Sequence, residues 1–228
     1  MRNRLLRLCT ISSLVAGGLA SGLVGGLAHA QPAPAKPAVP APAKASVKGN
    51  EAKLIYTGEA MGTVVQVTFW TDDEAGAAQA AEAVFAEMKR LDGVMTTWTP
   101  DSEVSKVNAA AGIKPVAVSD ETLRVITRAQ DVAIKSHGVF DITVGAYKGL
   151  WKFDQDIDGT LPDMKDVQAR KKLVNYRDLV IDAKKKTVFL KRKGMSITLG
   201  GIAKGYAVDQ CVALLRKRGF VDFILGVH

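Results

Sequence analysis

Apolar and polar positions alternate between Thr63 and Trp70. Val65, Val67 and Phe69 fall on one side and Thr68 on the other, the period of a half-buried strand. The period then changes. Asp72 and Asp73 offer an N-cap, and Ala77, Ala81, Val84, Phe85 and Met88 recur at helical spacing. That predicts a helix to about Leu91, with Gly93 after its end. Ser119 caps a second helix, with Leu123, Ile126 and Val132 facing inward and Gly138 closing it. Short strands are predicted over 179–181, 187–190 and 195–199, separated by charged or turn-forming residues. A last helix over 203–218 puts Ala207, Val208, Cys211, Val212 and Leu215 on one face. Helices and strands mix without strict alternation, so the fold class is α+β rather than a doubly wound parallel sheet.

The two ends of this pattern differ from its middle. Arg2, Arg4 and Arg7 stand at the head of an apolar run from Leu5 to Leu27, and Ala28-His29-Ala30 supplies small residues where a signal peptidase reads them. Residues 1–30 therefore read as a signal peptide. A permanent membrane span is the weaker alternative, because five glycines from Gly17 to Gly26 lower helix propensity. From Gln31 to Ala45 the chain is almost entirely Ala, Pro and Lys, the composition of an extended spacer. The expected organisation is a signal peptide over 1–30, a linker over 31–52 and a folded domain over 53–228.

Charge and cysteine use change this picture little. The net charge of +8 falls to +5 without residues 1–30, which carry three arginines and no acid. Basic residues gather over 165–172 and 184–193, where phosphates or acidic partners are one reading and a solvated surface is the plainer one. Aromatic residues make up 6% of the chain and do not interleave with the basic ones, which argues against a nucleic-acid groove. Cys9 leaves with the signal peptide, and Cys211 then stands alone on an apolar helix stripe, a packing position without a disulfide partner.

The most informative local feature is Leu199-Gly200-Gly201-Ile202-Ala203-Lys204-Gly205-Tyr206, between a predicted strand and a predicted helix. A helix start offers free N–H groups, glycines let a ligand approach the backbone, and Lys204 adds a charge. Phosphate binding is one reading and a tight turn the other; the spacing matches neither the dinucleotide fingerprint nor the common P-loop. Three more segments precede it: Ala60-Met61-Gly62-Thr63, the run from Met95 to Ser105 containing Trp98, and Phe140-Asp141-Ile142-Thr143-Val144-Gly145. Each has a plain alternative. Met61 fits a core, Trp98 a half-buried aromatic, Asp101 to Ser105 a helix cap, and Asp141 a cap on the turn before Thr143. His137 reads as a helix-end residue.

Taken in order, the four motifs make the chain resemble the FAD:protein FMN transferases, the ApbE family, from about Thr57 to Leu225. The resemblance implies an ApbE-like, T-fold-related α+β domain, a mixed sheet with packed helices. It implies that Met61 borders the flavin, that Trp98 stacks on its ring system, and that Val139, Phe140 and Asp141 line the cofactor site with Asp141 hydrogen-bonded to it. Lys204 matches the lysine that binds FAD. Thr198 stands where many members carry an Asp that touches FAD, and Gly201 where a backbone carbonyl meets Mg2+. It assigns no catalytic residue. The implied activity is magnesium-dependent transfer of FMN from FAD to a Thr or Ser hydroxyl of an acceptor protein, with release of AMP. Hydrolysis of FAD to FMN and AMP is an alternative, and a flavin-binding fragment without turnover is another. Implied partners are flavoprotein subunits of membrane electron-transfer complexes, in the periplasm, with membrane association through an uncleaved signal as a further option.

After Leu225 the family pattern continues through further strands, a histidine-bearing turn and a helix with the metal's Asp and Thr side chains. Here the sequence reads Gly226-Val227-His228. The expectation is a domain incomplete at its C-terminus, short of most side-chain ligands for the metal.

Overall fold

The computed structural model describes residues 43–46, 52–151 and 159–227. The expected signal peptide and most of the expected linker lie outside them, as does Cys9. Among the described residues no helix is long and apolar enough to cross a membrane.

The chain builds an antiparallel sheet in the order β1 (Ala43–Ser46), β2 (Ala52–Ala60), β3 (Thr63–Thr71) and β7 (Phe223–Val227). Residues 43–46 fall within the expected linker and pair along β2, Ala43 opposite Ile55. Strands β2 and β3 are joined by Met61 and Gly62, whose φ angles are +55° and +69°. Two consecutive left-handed residues make the tight hairpin turn whose twist suits the flanking strands, and Ala60 pairs directly with Thr63. Glycine adopts that backbone freely; methionine does not.

Helix α1 (Glu74–Met95) covers this sheet. Leu54, Tyr56, Val65, Val67 and Phe69 are buried beneath Ala77, Ala80, Ala81, Val84 and Met88. The small alanines let helix and sheet approach closely, and each large side chain so buried contributes about 1.5–3 kcal/mol. On the other face of β3, Thr68 is not the exposed residue that alternation predicts. It is 4% exposed, and the Gln66 amide reaches its hydroxyl at 3.4 Å. Helix α5 (Ala203–Lys217) packs beside α1 through Ala207, Cys211 and Leu215. Burial pushes the Cys211 thiol up to about 12, so Cys211 is an inert packing residue.

Helix α1 also overruns its expected end. Gly93 lies inside it, because Leu91 and Met95 continue the buried stripe and the Thr96 N–H closes on the Asp92 carbonyl at 2.8 Å. A short helix α2 (Glu103–Ala109) follows, then β4 (Val116–Ala117) and α3 (Asp120–Lys135). Ser119 caps α3 as expected, but its inward face is Thr122, Val125, Ile126, Ala129 and Ala133, with Leu123 and Val132 only partly covered. Helix α4 (Met164–Lys171) precedes β5 (Leu179–Asp182) and β6 (Thr187–Leu190), which join β4 in a second antiparallel sheet of order β4-β6-β5. The architecture is α+β, with helices packed on antiparallel sheets.

The predicted strand over 195–199 is extended and buried at Met195, Ile197 and Leu199, yet belongs to neither sheet. A side chain replaces the missing ladder. Asn108 of α2 accepts the Ile197 N–H at 2.7 Å and donates to its carbonyl at 2.9 Å. The 3-10 turn Ile142–Tyr147 supports the same segment, with the Ile142 carbonyl accepting the Thr198 N–H at 2.9 Å. A Cβ on Gly145 would stand 2.6 Å from the Ile197 carbonyl carbon, so only glycine allows this approach.

Candidate functional site

The segment held by Asn108 and Gly145 leads into Gly200-Gly201-Ile202 and the start of α5. No side chain caps α5, its first turn holds no acid, and its N-cap position is Ile202. The first turn instead carries exposed Lys204. The Leu199 carbonyl takes the Ile202 and Ala203 N–H groups at 2.9 and 2.7 Å, while the N–H groups that follow have no side-chain cap. Those, the positive end of the helix dipole and a lysine together favour an anion. Tyr206, one turn in, donates to Glu121 of α3 at 3.2 Å. Arg90 of α1 bonds the same carboxylate at 2.8 Å and Glu87 at 2.7 Å. This clamp fixes the start of α5 against α1 and α3. Burial, then the Glu121 charge, push the Tyr206 hydroxyl above its ordinary pKa, so it stays a donor.

A second wall comes from the loop after α1. Ser102 caps α2 by accepting the Ser105 N–H at 2.9 Å, and its hydroxyl donates back to the Thr96 carbonyl at 2.6 Å. That double use closes the loop over 96–101 and turns Trp98 outward, 76% exposed. The Met95-to-Ser105 motif is thus a cap and a displayed aromatic ring at once.

These walls and the β2–β3 turn enclose a cavity of about 180 Å³. Met61, Trp98 and Lys204, from three of the four motifs, all line it, with Thr198 just ahead of the last motif and with Gly62, Thr96, Thr97 and Gly200. Met61 reaches it from a backbone conformation that costs a non-glycine residue on the order of 1 kcal/mol. Met95, the first residue of its motif, also lines it, as does Asp92, which the sequence reading missed because it ended α1 too early.

The fourth motif is placed differently. Val139 is 92% exposed, and none of Val139, Phe140 and Asp141 lines the cavity. Both oxygens of Asp141 serve the fold. One accepts from the Thr143 backbone at 2.8 Å and the Thr143 hydroxyl at 2.7 Å, the other from the Tyr176 N–H at 2.8 Å. Of its two readings, the cap is the one these bonds describe. Phe140 touches the site indirectly, its ring 3.2 Å from where a Cβ on Gly201 would stand. His137 sits past the end of α3, at a φ of +54°.

Magnesium was tested against these groups. It takes about six oxygens, usually including one or two carboxylates. Among the described residues no three His, Cys, Asp or Glu side chains cluster as a metal site, and Asp92 is the one acid at the cavity. Gly201 itself is exposed beside the cavity. The residues present therefore do not make a resident magnesium site.

A model of the ApbE family matches residues 61–227. The chain belongs to the ApbE family. It is similar to a FAD:protein FMN transferase of Klebsiella pneumoniae, 31% identical over 163 residues, covering 72% of this chain and 50% of the relative. A FAD:protein FMN transferase of Treponema pallidum is 31% identical over 161 residues, covering 68% of this chain and 44% of that one. Among solved structures, the flavin transferase ApbE from Vibrio cholerae superposes with a TM-score of 0.70 at 24% identity, covering 77% of this chain and 57% of that one, which supports the fold. The ApbE protein of Thermotoga maritima gives 0.66 at 28% identity, over 73% and 53%. This ApbE-family chain spans about half the length of the curated relatives it matches. The ApbE-like α+β class follows directly.

Proposed function

We propose that this ApbE-family chain binds FAD in the cavity and serves transfer of its FMN portion to a Thr or Ser hydroxyl of an acceptor protein. One observation carries the reading: three motifs far apart in sequence bring Met61, Trp98 and Lys204, with Thr198 just ahead of the last, to one cavity beside an uncapped helix start. The named activity of the Klebsiella and Treponema relatives supports it. The flavin ring would lie on Trp98 with Met61 at its border, an aromatic stack of ordinary kind. The pyrophosphate would meet the α5 N–H groups and Lys204, with the Thr198 hydroxyl as a further donor.

In this reaction the acceptor oxygen attacks the FMN phosphorus in line while the bond to the AMP phosphate oxygen breaks. The hydroxyl proton passes to solvent, and AMP departs with the bonding electrons. Lys204 and the helix start hold the pyrophosphate charge throughout, which lowers the barrier to its redistribution. A magnesium ion, not resident in the chain, would come with the substrate and be held by its phosphates, water and the Gly201 carbonyl. We further propose export to the periplasm and acceptors among flavoprotein subunits of membrane electron-transfer complexes. A second reading, flavin binding without turnover, is favoured by the lack of an acidic cluster among the described residues.

The test is to incubate the chain with FAD, magnesium and a Thr-containing acceptor and read the acceptor mass. A gain of one FMN supports transfer. Free FMN and AMP without a mass gain indicate hydrolysis, and saturable FAD binding with neither product indicates the second reading.

A further inference from the structure

Trp98 lines the cavity while 76% exposed, and a ring so displayed needs something to hold its orientation. One structural element outside the cavity wall meets it, and a second supports the first. The 3-10 turn Ile142–Tyr147 ends at Lys148, whose N–H bonds the Gly145 carbonyl at 2.9 Å. From there the Lys148 side chain crosses to the loop after α1. Its Nζ donates to the Thr97 carbonyl and stands 4.9 Å from the centroid of the Trp98 ring. Lys148 is not part of the cavity wall, whereas Trp98 is. Lys148 thus reaches the ring from the 3-10 turn without itself lining the cavity.

The base of this strut is itself fixed. Arg170 of α4 donates to the Ala146 carbonyl at 2.8 Å and to the Lys148 carbonyl at 3.2 Å. Helix α4 has no buried residue of its own, so these bonds are a principal reason for its placement. Arg170 thus pins the backbone from which Lys148 extends.

We propose that Lys148 is a positioning residue for flavin binding, acting through Trp98 and anchored by Arg170. The Lys148 ammonium holds the indole by cation–π attraction and by its bond to the neighbouring carbonyl. The ring is thereby presented to the cavity already ordered. Without that hold, an exposed indole samples several rotamers, and each binding event must immobilise it again. The inference rests on the flavin reading of the cavity.

The experiment is a double-mutant cycle on the full chain with riboflavin, which has the ring system but no phosphate, read by quenching of flavin fluorescence. Trp98→Ala weakens binding about ten-fold or more, the size of a lost aromatic stack. Lys148→Met weakens it about five-fold, the cost of ordering one side chain and losing an exposed cation–π contact. Lys148→Arg restores most of the loss, and Lys148→Met adds nothing in the Trp98→Ala background. If Lys148→Met weakens binding equally with and without Trp98, Lys148 meets the flavin directly and the proposal fails. If Trp98→Ala has an effect and Lys148→Met has none, the proposal fails while the flavin reading stands. If Trp98→Ala has no effect, the flavin reading itself fails and takes the proposal with it. A measurement without ligand checks the same idea: 15N relaxation of the Trp98 indole N–H shows it ordered in the parent and mobile in Lys148→Met. Equal order in both would overturn the proposal.

Discussion

Helix α3 begins with Ser119, whose hydroxyl accepts the Thr122 N–H at 3.2 Å, and its first turn carries Asp120 and Glu121. Helix α5 begins with Ile202, which caps nothing, and its first turn carries Lys204. The same physics governs both: a helix start exposes N–H groups at the positive end of a dipole. In α3 the chain satisfies that demand with its own side chains. In α5 the Leu199 carbonyl takes the Ile202 and Ala203 N–H groups, no side chain caps those that follow, and a positive charge is added, beside a cavity. Stability comes from the first arrangement and anion affinity from the second. The clamp of Arg90, Glu121 and Tyr206 joins the two starts, so the open one is held in place by the closed one.

The largest way to disturb this contrast is to release the segment leading into α5. Asn108→Ala leaves the buried Ile197 N–H and carbonyl without partners, for a loss of about 3 kcal/mol in chemical denaturation. FAD binding should weaken with it, because Thr198 and Gly200 lose their support. A smaller effect, specific to the ligand, is expected from Lys204→Ala. FAD affinity falls by about 2 kcal/mol, near thirty-fold, with the melting temperature unchanged. Calorimetric titration measures the first and a thermal melt the second.

At about 1 kcal/mol, a pair of substitutions sharpens the comparison directly. Ser119→Ala destabilises the chain by about that much and leaves FAD affinity alone. Gly205→Glu has the opposite profile. A Cβ there meets nothing, an acid suits a helix start and glycine is a poor helix former, so stability rises while FAD binding weakens. The smallest effect concerns the clamp. Its hydrogen bond to Arg90 holds the Glu87 carboxyl below its ordinary range. The folded pKa is thus lower than the unfolded one, so the contribution is present above about pH 4.3 and is lost as pH falls through the folded value. Glu87→Gln should melt a few tenths of a kcal/mol lower than the parent at pH 7 and equally at pH 3.

How much of this the sequence held depends on whether the deciding partner is local. The start of α3 was legible because Ser119 and its partner are three residues apart. The end of α1 was not, since Gly93 has the form of a helix stop and only the burial of Met95 overrides it; that error hid Asp92 from the site. The segment over 195–199, read as a strand, is apolar and buried at alternate positions but joins no sheet, and its hydrogen-bond partner is a side chain 89 residues away. Strand β2 was overlooked because Lys53 and Ile55 blur an alternation carried by Leu54 and Tyr56. At the cavity the motif resemblance placed Met61, Trp98, Thr198 and Lys204 together. The Asp141 cap on Thr143 was legible two residues away, whereas its bond to the Tyr176 N–H, 35 residues on, was not.

The central claim is that the open start of α5 and the displayed ring of Trp98 form one flavin-nucleotide site. Titrating the parent chain and Lys204→Ala with FAD and with riboflavin tests it most directly. The account predicts saturable binding of both by the parent, with Lys204→Ala weakening FAD near thirty-fold and leaving riboflavin unchanged. Equal loss for both ligands, or no saturable binding of FAD by the parent, would contradict it.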